Sequence, residues 1–293
     1  MPDQAADSFK SKLIERLRQT SRGAPSPIGF GRVTESSVPA LFLLAVLPRN
    51  EVALAEAAVS AGADAIALRL CGAGTDLLKE TGDYATEEQN VKDVVAAVGS
   101  RAIVGLVIGS NGNMTISQLT GLGKLGADFV AAYPHLTLAQ FLELTDVGRL
   151  AIIDQQGGNA IRGINDLSIQ AVLVRTERPS DSPAGMTVLD VAAFRGATDG
   201  IHRPMLAFPS WKIIPQDLKI LKSCGIEGVA LVGPEPDATA ELIESTIRPY
   251  REVVKRLGKP VGRRSALSEP AVILSRVVQA VEDDGEESDE DDE

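Results

Sequence analysis

SAGADAIALRL, residues 60–70, compresses the end of a helix, a glycine turn and a buried strand into one short stretch. The same junction returns as KLGADFVAAYP at 124–134 and as KSCGIEGVALVGPE at 222–235. In each, a glycine stands where a helix must stop, because it takes the left-handed backbone conformation at low steric cost. An apolar run follows at once. A junction that recurs along one chain is the mark of a repeated structural unit.

Working outward, eight short runs rich in Val, Ile, Leu and Ala punctuate the chain. They are ALFLLAVLP from Ala40, ADAIALRL from Ala63, AIVGLVIG from Ala102, ADFVAAYP from Ala127, RLAIID from Arg149, AVLVRTE from Ala171, PMLAFPSW from Pro204 and GVALVGPE from Gly228. Near-continuous apolar runs, as opposed to alternating ones, describe strands covered on both faces, which is the habit of parallel sheets. Between them, T-x-x-Q marks helix starts at Thr86–Gln89, Thr115–Gln118 and Thr137–Gln140, since Thr accepts from the N3 amide while Gln reaches back. Asn50 and Thr187 are the expected caps of two further helices.

Strand, capped helix and glycine, repeated through eight strands, predict an α/β chain folded as a single (β/α)8 TIM barrel, an architecture of about 250 residues. An open doubly wound sheet is the alternative. It is disfavoured because no G-x-G-x-x-G follows any strand; the GFG at Gly29–Gly31 lies in a Pro-rich stretch ahead of the first one. The domain reading is an N-terminal helix and linker over 1–37, the barrel over 38–282 and an acidic tail over 283–293. Phe9, Leu13, Ile14 and Leu17 share one face of a helix spanning Ser8 to Gln19, expected to cover the bottom of the barrel. EPAVILSRVVQAV from Glu269 reads as a final helix.

The chain has 293 residues, 44% hydrophobic and 24% charged, enough apolar material for a large core. Its formal charge of −11 is concentrated: Glu282 to Glu293 holds ten acidic residues and no Lys or Arg. That tail is expected to lack fixed structure, because repelling charges without apolar residues bury nothing. It is a solubilising appendage or an electrostatic docking arm for a protein partner. The remaining chain is nearly balanced, so no basic surplus points to nucleic acid. Two cysteines, Cys71 and Cys224, are too few for a disulfide framework or a metal site, and Cys224 reads as a buried thiol. No apolar run approaches the roughly 20 residues of a membrane span, and the N-terminus has no secretory h-region. The expected location is the cytoplasm.

Enzymes on this fold keep their chemistry at the C-terminal ends of the strands. The polar groups there are Arg69, the Ser110–Asn113 loop, Tyr133, His135, Asp154, Gln155, Arg175, Glu177, Ser210, Trp211 and Lys212. Arg69 ends an apolar strand and either holds a substrate anion or pairs with Asp154 or Glu177 across the mouth. Asp154 is the best general base, being the first polar group after a buried strand and preceding Gly157 and Gly158; capping that loop is its structural alternative. Lys212, beside Trp211, is the candidate for a Schiff base or an anion contact. His135 has no neighbouring ligand pattern, and His202 precedes a strand and belongs to the opposite face. The loop from Cys71 to Ala85 is long enough to act as a lid. The expected site is therefore catalytic Asp154 and Lys212, with Arg69, Asn111, Asn113 and Arg175 binding substrate; no metal or cofactor is specified.

SAGADAIALRL and LKSCGIEGVALVGPEPDATAELI resemble the phosphate-binding (β/α)8 barrels of the thiamin-phosphate-synthase and indole-glycerol-phosphate-synthase type. That resemblance implies a phosphate held by the loops after strands seven and eight and by a helix N-terminus. Here Pro209, Ser210 and Trp211 replace a Gly pair, and Glu235 and Asp237 stand where phosphate would sit, which argues against it. Residues 64–113 resemble the pterin-binding barrels, including corrinoid methyltransfer subunits, implying roles for Asn111 or Asn113 with Asp154. Three functions follow as expectations: a lyase, synthase or transferase acting on a small anionic metabolite; a pterin or corrinoid protein of one-carbon metabolism; and a non-catalytic barrel working through protein contacts. Fold does not choose among them.

Overall fold

The computed structural model describes residues 10–22, 39–70, 81–109, 114–154, 163–178, 182–232 and 237–257. All eight apolar runs form strands: β1 (Phe42–Val46), β2 (Ala65–Leu70), β3 (Ile103–Ile108), β4 (Phe129–Ala132), β5 (Gly148–Asp154), β6 (Ala171–Arg175), β7 (Met205–Ala207) and β8 (Gly228–Val232). Each pairs in parallel with the next, and β1 pairs with β8 from Phe42 opposite Gly228 to Val46 opposite Val232. The sheet is a closed barrel. The open-sheet alternative is excluded.

Strand alternation divides the apolar residues into two cores. Phe42, Leu44, Ala65, Ala67, Val107, Phe129, Ala131, Leu150, Ile152, Leu173, Leu206 and Ala230 fill the barrel interior. Their sequence neighbours, such as Leu43, Ile66, Leu68, Leu106, Val130 and Val172, face outward against the helices. Helix α1 (Lys12–Arg22) runs later than the expected Ser8 to Gln19 and sends Leu13, Ile14 and Leu17 into the interior core as a bottom cover, while Phe9 lies outside the described residues. Asp128, at the bottom of β4, holds its start by accepting from Ser11 Oγ, Lys12 N and Leu13 N at 2.7, 2.7 and 3.0 Å.

The remaining helices are α2 (Val52–Ser60), α3 (Tyr84–Val98), α4 (Ile116–Gly121), α5 (Val188–Gly200), α6 (Asp217–Ser223) and α7 (Ala240–Arg256). The three glycine junctions have positive φ: 100° at Gly62, 81° at Gly126 and 88° at Gly225. Each is closed by a carboxylate just before its strand. Asp64 accepts from Leu43 N at 2.8 Å and pairs with Arg251 at 2.7 Å, and Glu227 accepts from Met205 N at 2.7 Å. Acidic residues in the junction thus tie each new strand to its neighbour or to a helix.

Capping follows the sequence at two places and departs from it at three. Thr115 with Gln118 and Thr187 with Asp190 form complete capping boxes. Thr86 is instead the N3 residue of α3, whose cap is Asp83 accepting from Thr86 N; the segment D-x-x-T offers a stronger acceptor three residues earlier. Thr137 caps nothing: the 3-10 helix Ala139–Glu143 begins after Leu138, without a side-chain cap. Asn50 precedes Glu51 at the start of α2 and spends its amide elsewhere. Residues 71–80 of the loop from Cys71 to Ala85, expected to act as a lid, together with Gln155, the helix expected from Glu269 and the acidic tail, lie outside the described residues.

Candidate functional site

The barrel interior is apolar up to its last layer and polar there. On β2, Ala65 and Ala67 point inward, so Arg69 does as well. On β4 the inward series Phe129, Ala131 delivers Tyr133; on β5 Leu150 and Ile152 deliver Asp154; on β6 Ala171 and Leu173 deliver Arg175. The last inward positions on β1, β3 and β8 are Val46, Val107 and Val232, so the polar groups come from β2, β4, β5 and β6.

Arg69 is 3% exposed, and Arg175 is 4% exposed. Arg175 Nη1 donates to the Tyr133 hydroxyl at 3.0 Å. Its Nε lies 3.2 Å from Glu177 Oε1 and 3.7 Å from Asp154 Oδ1, and the second contact follows from register, since Asp154 is the partner of Arg175 across β5 and β6. Both carboxylates face water, with side chains 46% and 61% exposed. Arg69 Nη1 donates to Pro48 O at 3.2 Å. Burial pushes its guanidinium down to about 10, while the nearby Tyr133 phenol works the other way. It remains a cation at neutral pH. Asp154 and Glu177 thus meet Arg175, and Tyr133 stands beside both arginines.

Asn50 aims Arg69. Its Oδ1 accepts from Arg69 N at 2.9 Å and its Nδ2 donates to Arg69 O at 2.7 Å, so a side-chain amide continues the ladder where β1 has ended. Glu87 on α3 accepts from the same Nδ2 at 2.9 Å. The sequence carried no local signal for this role, because Asn before a helix is read as a cap. Tyr133 was visible as a polar group after β4, but its place between the two arginines depends on how the strands close in space.

Lys212 is exposed on the loop after β7 and makes no hydrogen bond or ion pair among the described residues. The cation stacked on Trp211 is Arg178, 3.5 Å from the ring centroid. Trp211 Nε1 donates to Thr176 Oγ1 at 3.1 Å, and Arg178 lies 3.6 Å from Asp190 of the α5 cap. This stack fixes the loops after β6 and β7 against each other. His135 is exposed and meets Tyr133 edge-on at 5.9 Å; His202 is exposed before β7, at the opposite end. Asn111 and Asn113 lie outside the described residues, and with them the pterin-type pairing. Among the described residues, no cluster of His, Cys, Asp and Glu is arranged to hold a metal, and no helix is long and apolar enough to cross a membrane.

The fold and this mouth define a (β/α)8 barrel with buried arginines at the C-terminal ends of its strands. No protein-family model matches the chain, and no curated protein matches it by sequence. Solved structures do match. Tryptophan synthase from Mycobacterium tuberculosis aligns with a TM-score of 0.61 at 12% identity, over 87% of this chain and 99% of that one. Thiamine phosphate pyrophosphorylase from Pyrococcus furiosus gives 0.53 at 16%, over 74% and 96%. Phosphoribosyl anthranilate isomerase from Thermus thermophilus gives 0.54 at 13%, over 74% and 100%. At these identities the likeness is one of fold: the chain shares the (β/α)8 barrel with them.

Proposed function

We propose that this chain binds a small anionic metabolite at the barrel mouth and acts on it as an enzyme of lyase, synthase or transferase type. One observation carries the reading: two guanidiniums, from β2 and β6, are buried at the inward-facing end of an otherwise apolar interior. Burying an arginine costs desolvation that a valine avoids, and valines, Val46, Val107 and Val232, hold the last inward positions of β1, β3 and β8. Such a cost is expected where a ligand needs the charge.

Arg69 and Arg175 hold the anion in this reading, and the Tyr133 hydroxyl completes the cradle. Asp154, half-exposed and beside Arg175, is placed to move a proton at an atom adjacent to the bound anionic group. Lys212 is assigned to the rim, as a contact for the far end of the ligand.

The test uses Trp211, the chain's single tryptophan, which stands on the loop after β7. A panel of phosphorylated metabolites, carboxylates, folates and corrinoids is titrated while its fluorescence and the melting temperature are followed. A ligand bound by the native state alone stabilises by about 2.7 kcal/mol at a hundredfold excess over its Kd. The reading expects at least one anion to do so and Arg69→Ala to weaken it about ten to a hundredfold. Silence across the panel, or binding that ignores Arg69, refutes it and favours a barrel working through protein contacts.

A further inference from the structure

We infer that the anionic group held at the mouth is a carboxylate and not a phosphate monoester; this rests on the anion site proposed above. The place where barrels of this architecture bind phosphate is the end of strands seven and eight with a helix N-terminus. In this chain the described donors there are already committed. Pro209 has no N–H, and the Ser210 N–H and hydroxyl both donate to Thr176 O, at 2.9 and 3.2 Å. The Trp211 indole N–H goes to Thr176 Oγ1. At the start of α7, Thr239 Oγ1 accepts from Leu242 N at 3.3 Å, and the Glu241 carboxylate is held below the usual range, chiefly by its own backbone N–H. Among the described residues, this end of the barrel offers Asp237 and Glu241 beside donors that are already engaged.

The cations lie on the other arc, and the charge there suits one negative charge better than two. Arg175 is faced by Asp154 and Glu177, and Arg69 stands on the far side of Tyr133, so these four groups sum to zero. A phosphate monoester brings about −1.5 to −2 at neutral pH, a carboxylate −1. Arg175 already shows the geometry, with a carboxylate oxygen 3.2 Å from its Nε. That oxygen belongs to Glu177, whose side chain is largely in water and free to turn outward. A ligand carboxylate exchanges with it on the guanidinium edge, gaining the Tyr133 hydroxyl and the field of Arg69, and the charge at the mouth is unchanged. Glu177 is thus the native stand-in for the ligand's own group.

The experiment is calorimetric titration of the full chain with acetate, pyruvate, malonate and succinate, against inorganic phosphate and glycerol 3-phosphate at equal ionic strength. At least one carboxylate is expected to bind at least tenfold tighter than either phosphate probe. Glu177→Gln is expected to tighten that carboxylate about two- to fivefold, and Tyr133→Phe, which removes one hydroxyl from a folded barrel, to weaken it. Phosphate binding as well as or better than every carboxylate overturns the assignment and leaves the anion site standing. Looser binding by Glu177→Gln overturns the exchange. If neither class binds, the assignment and the anion site fall together.

Discussion

Gly105 is the position at which the barrel's inward register is most sharply testable. It lies on β3 between Ile103 and Val107, and a Cβ added there would sit 2.3 Å from Cε1 and Cζ of Phe129 and 2.4 Å from its Cδ1. Ordinary contact begins at 3.4 Å, so the ring would have to retreat by about 1 Å. Phe129 is fully buried in the interior core, with nowhere to go. Overpacking of this kind costs typically about 1–3 kcal/mol, and a rigid neighbour puts Gly105→Ala at about 2–3. For a domain of this size the melting temperature should fall by about 4–12 °C. Thermal and denaturant unfolding of Gly105→Ala, Phe129→Leu and the double variant give the assay. The shorter Leu relieves the overlap, so the pair should cost less than the sum of its members by more than about 0.5 kcal/mol. An unchanged melting temperature in Gly105→Ala, or strict additivity, would refute the register, and with it the inward direction of the polar groups at the strand ends.

Other consequences are open to measurement. Asp128→Ala removes three acceptor contacts at the start of α1 and should cost about 1–2 kcal/mol, with faster proteolysis within 12–22; a protease-resistant variant would show that the plug holds by its apolar face alone. Thr187→Ala breaks the α5 capping box and should lower stability by about 1 kcal/mol in denaturant unfolding, whereas no change would make the box redundant. Anion affinity at the mouth should be flat from about pH 6 to 8 and weaken as pH rises through about 10, since Arg69, depressed by burial, attracts an anion only while protonated. A steep loss between about pH 6 and 8 would contradict an anion held by the two guanidiniums.

The fold was legible because its signals are local and repeated. GAD at residues 62–64 and 126–128 and GIEG at 225–228 announce the helix stop and the strand start within a few residues, and all three glycines take positive φ. Arg69, Asp154 and Arg175 were legible as candidates for the same reason: each is the polar end of an apolar strand, and a period of two assigns its direction once the register is known. What escaped depends on distant partners. Asn50 looks like a cap in sequence and becomes a ladder extension because β1 stops short of Arg69, whose N–H and carbonyl pair with the Asn50 amide. Lys212 follows Trp211 directly, yet the cation on that ring comes from Arg178, thirty-three positions upstream. Thr86 fits the capping pattern but lies three residues beyond Asp83, whose carboxylate is the better acceptor for an exposed helix start.

A crystal structure with the tightest-binding anion of the titration panel decides where the ligand lies. The predicted density lies within hydrogen-bonding distance of Arg175 and the Tyr133 hydroxyl, with Arg69 alongside and Glu177 turned toward solvent. Density at the loops after β7 and β8, or at the end of the barrel covered by α1, would contradict it.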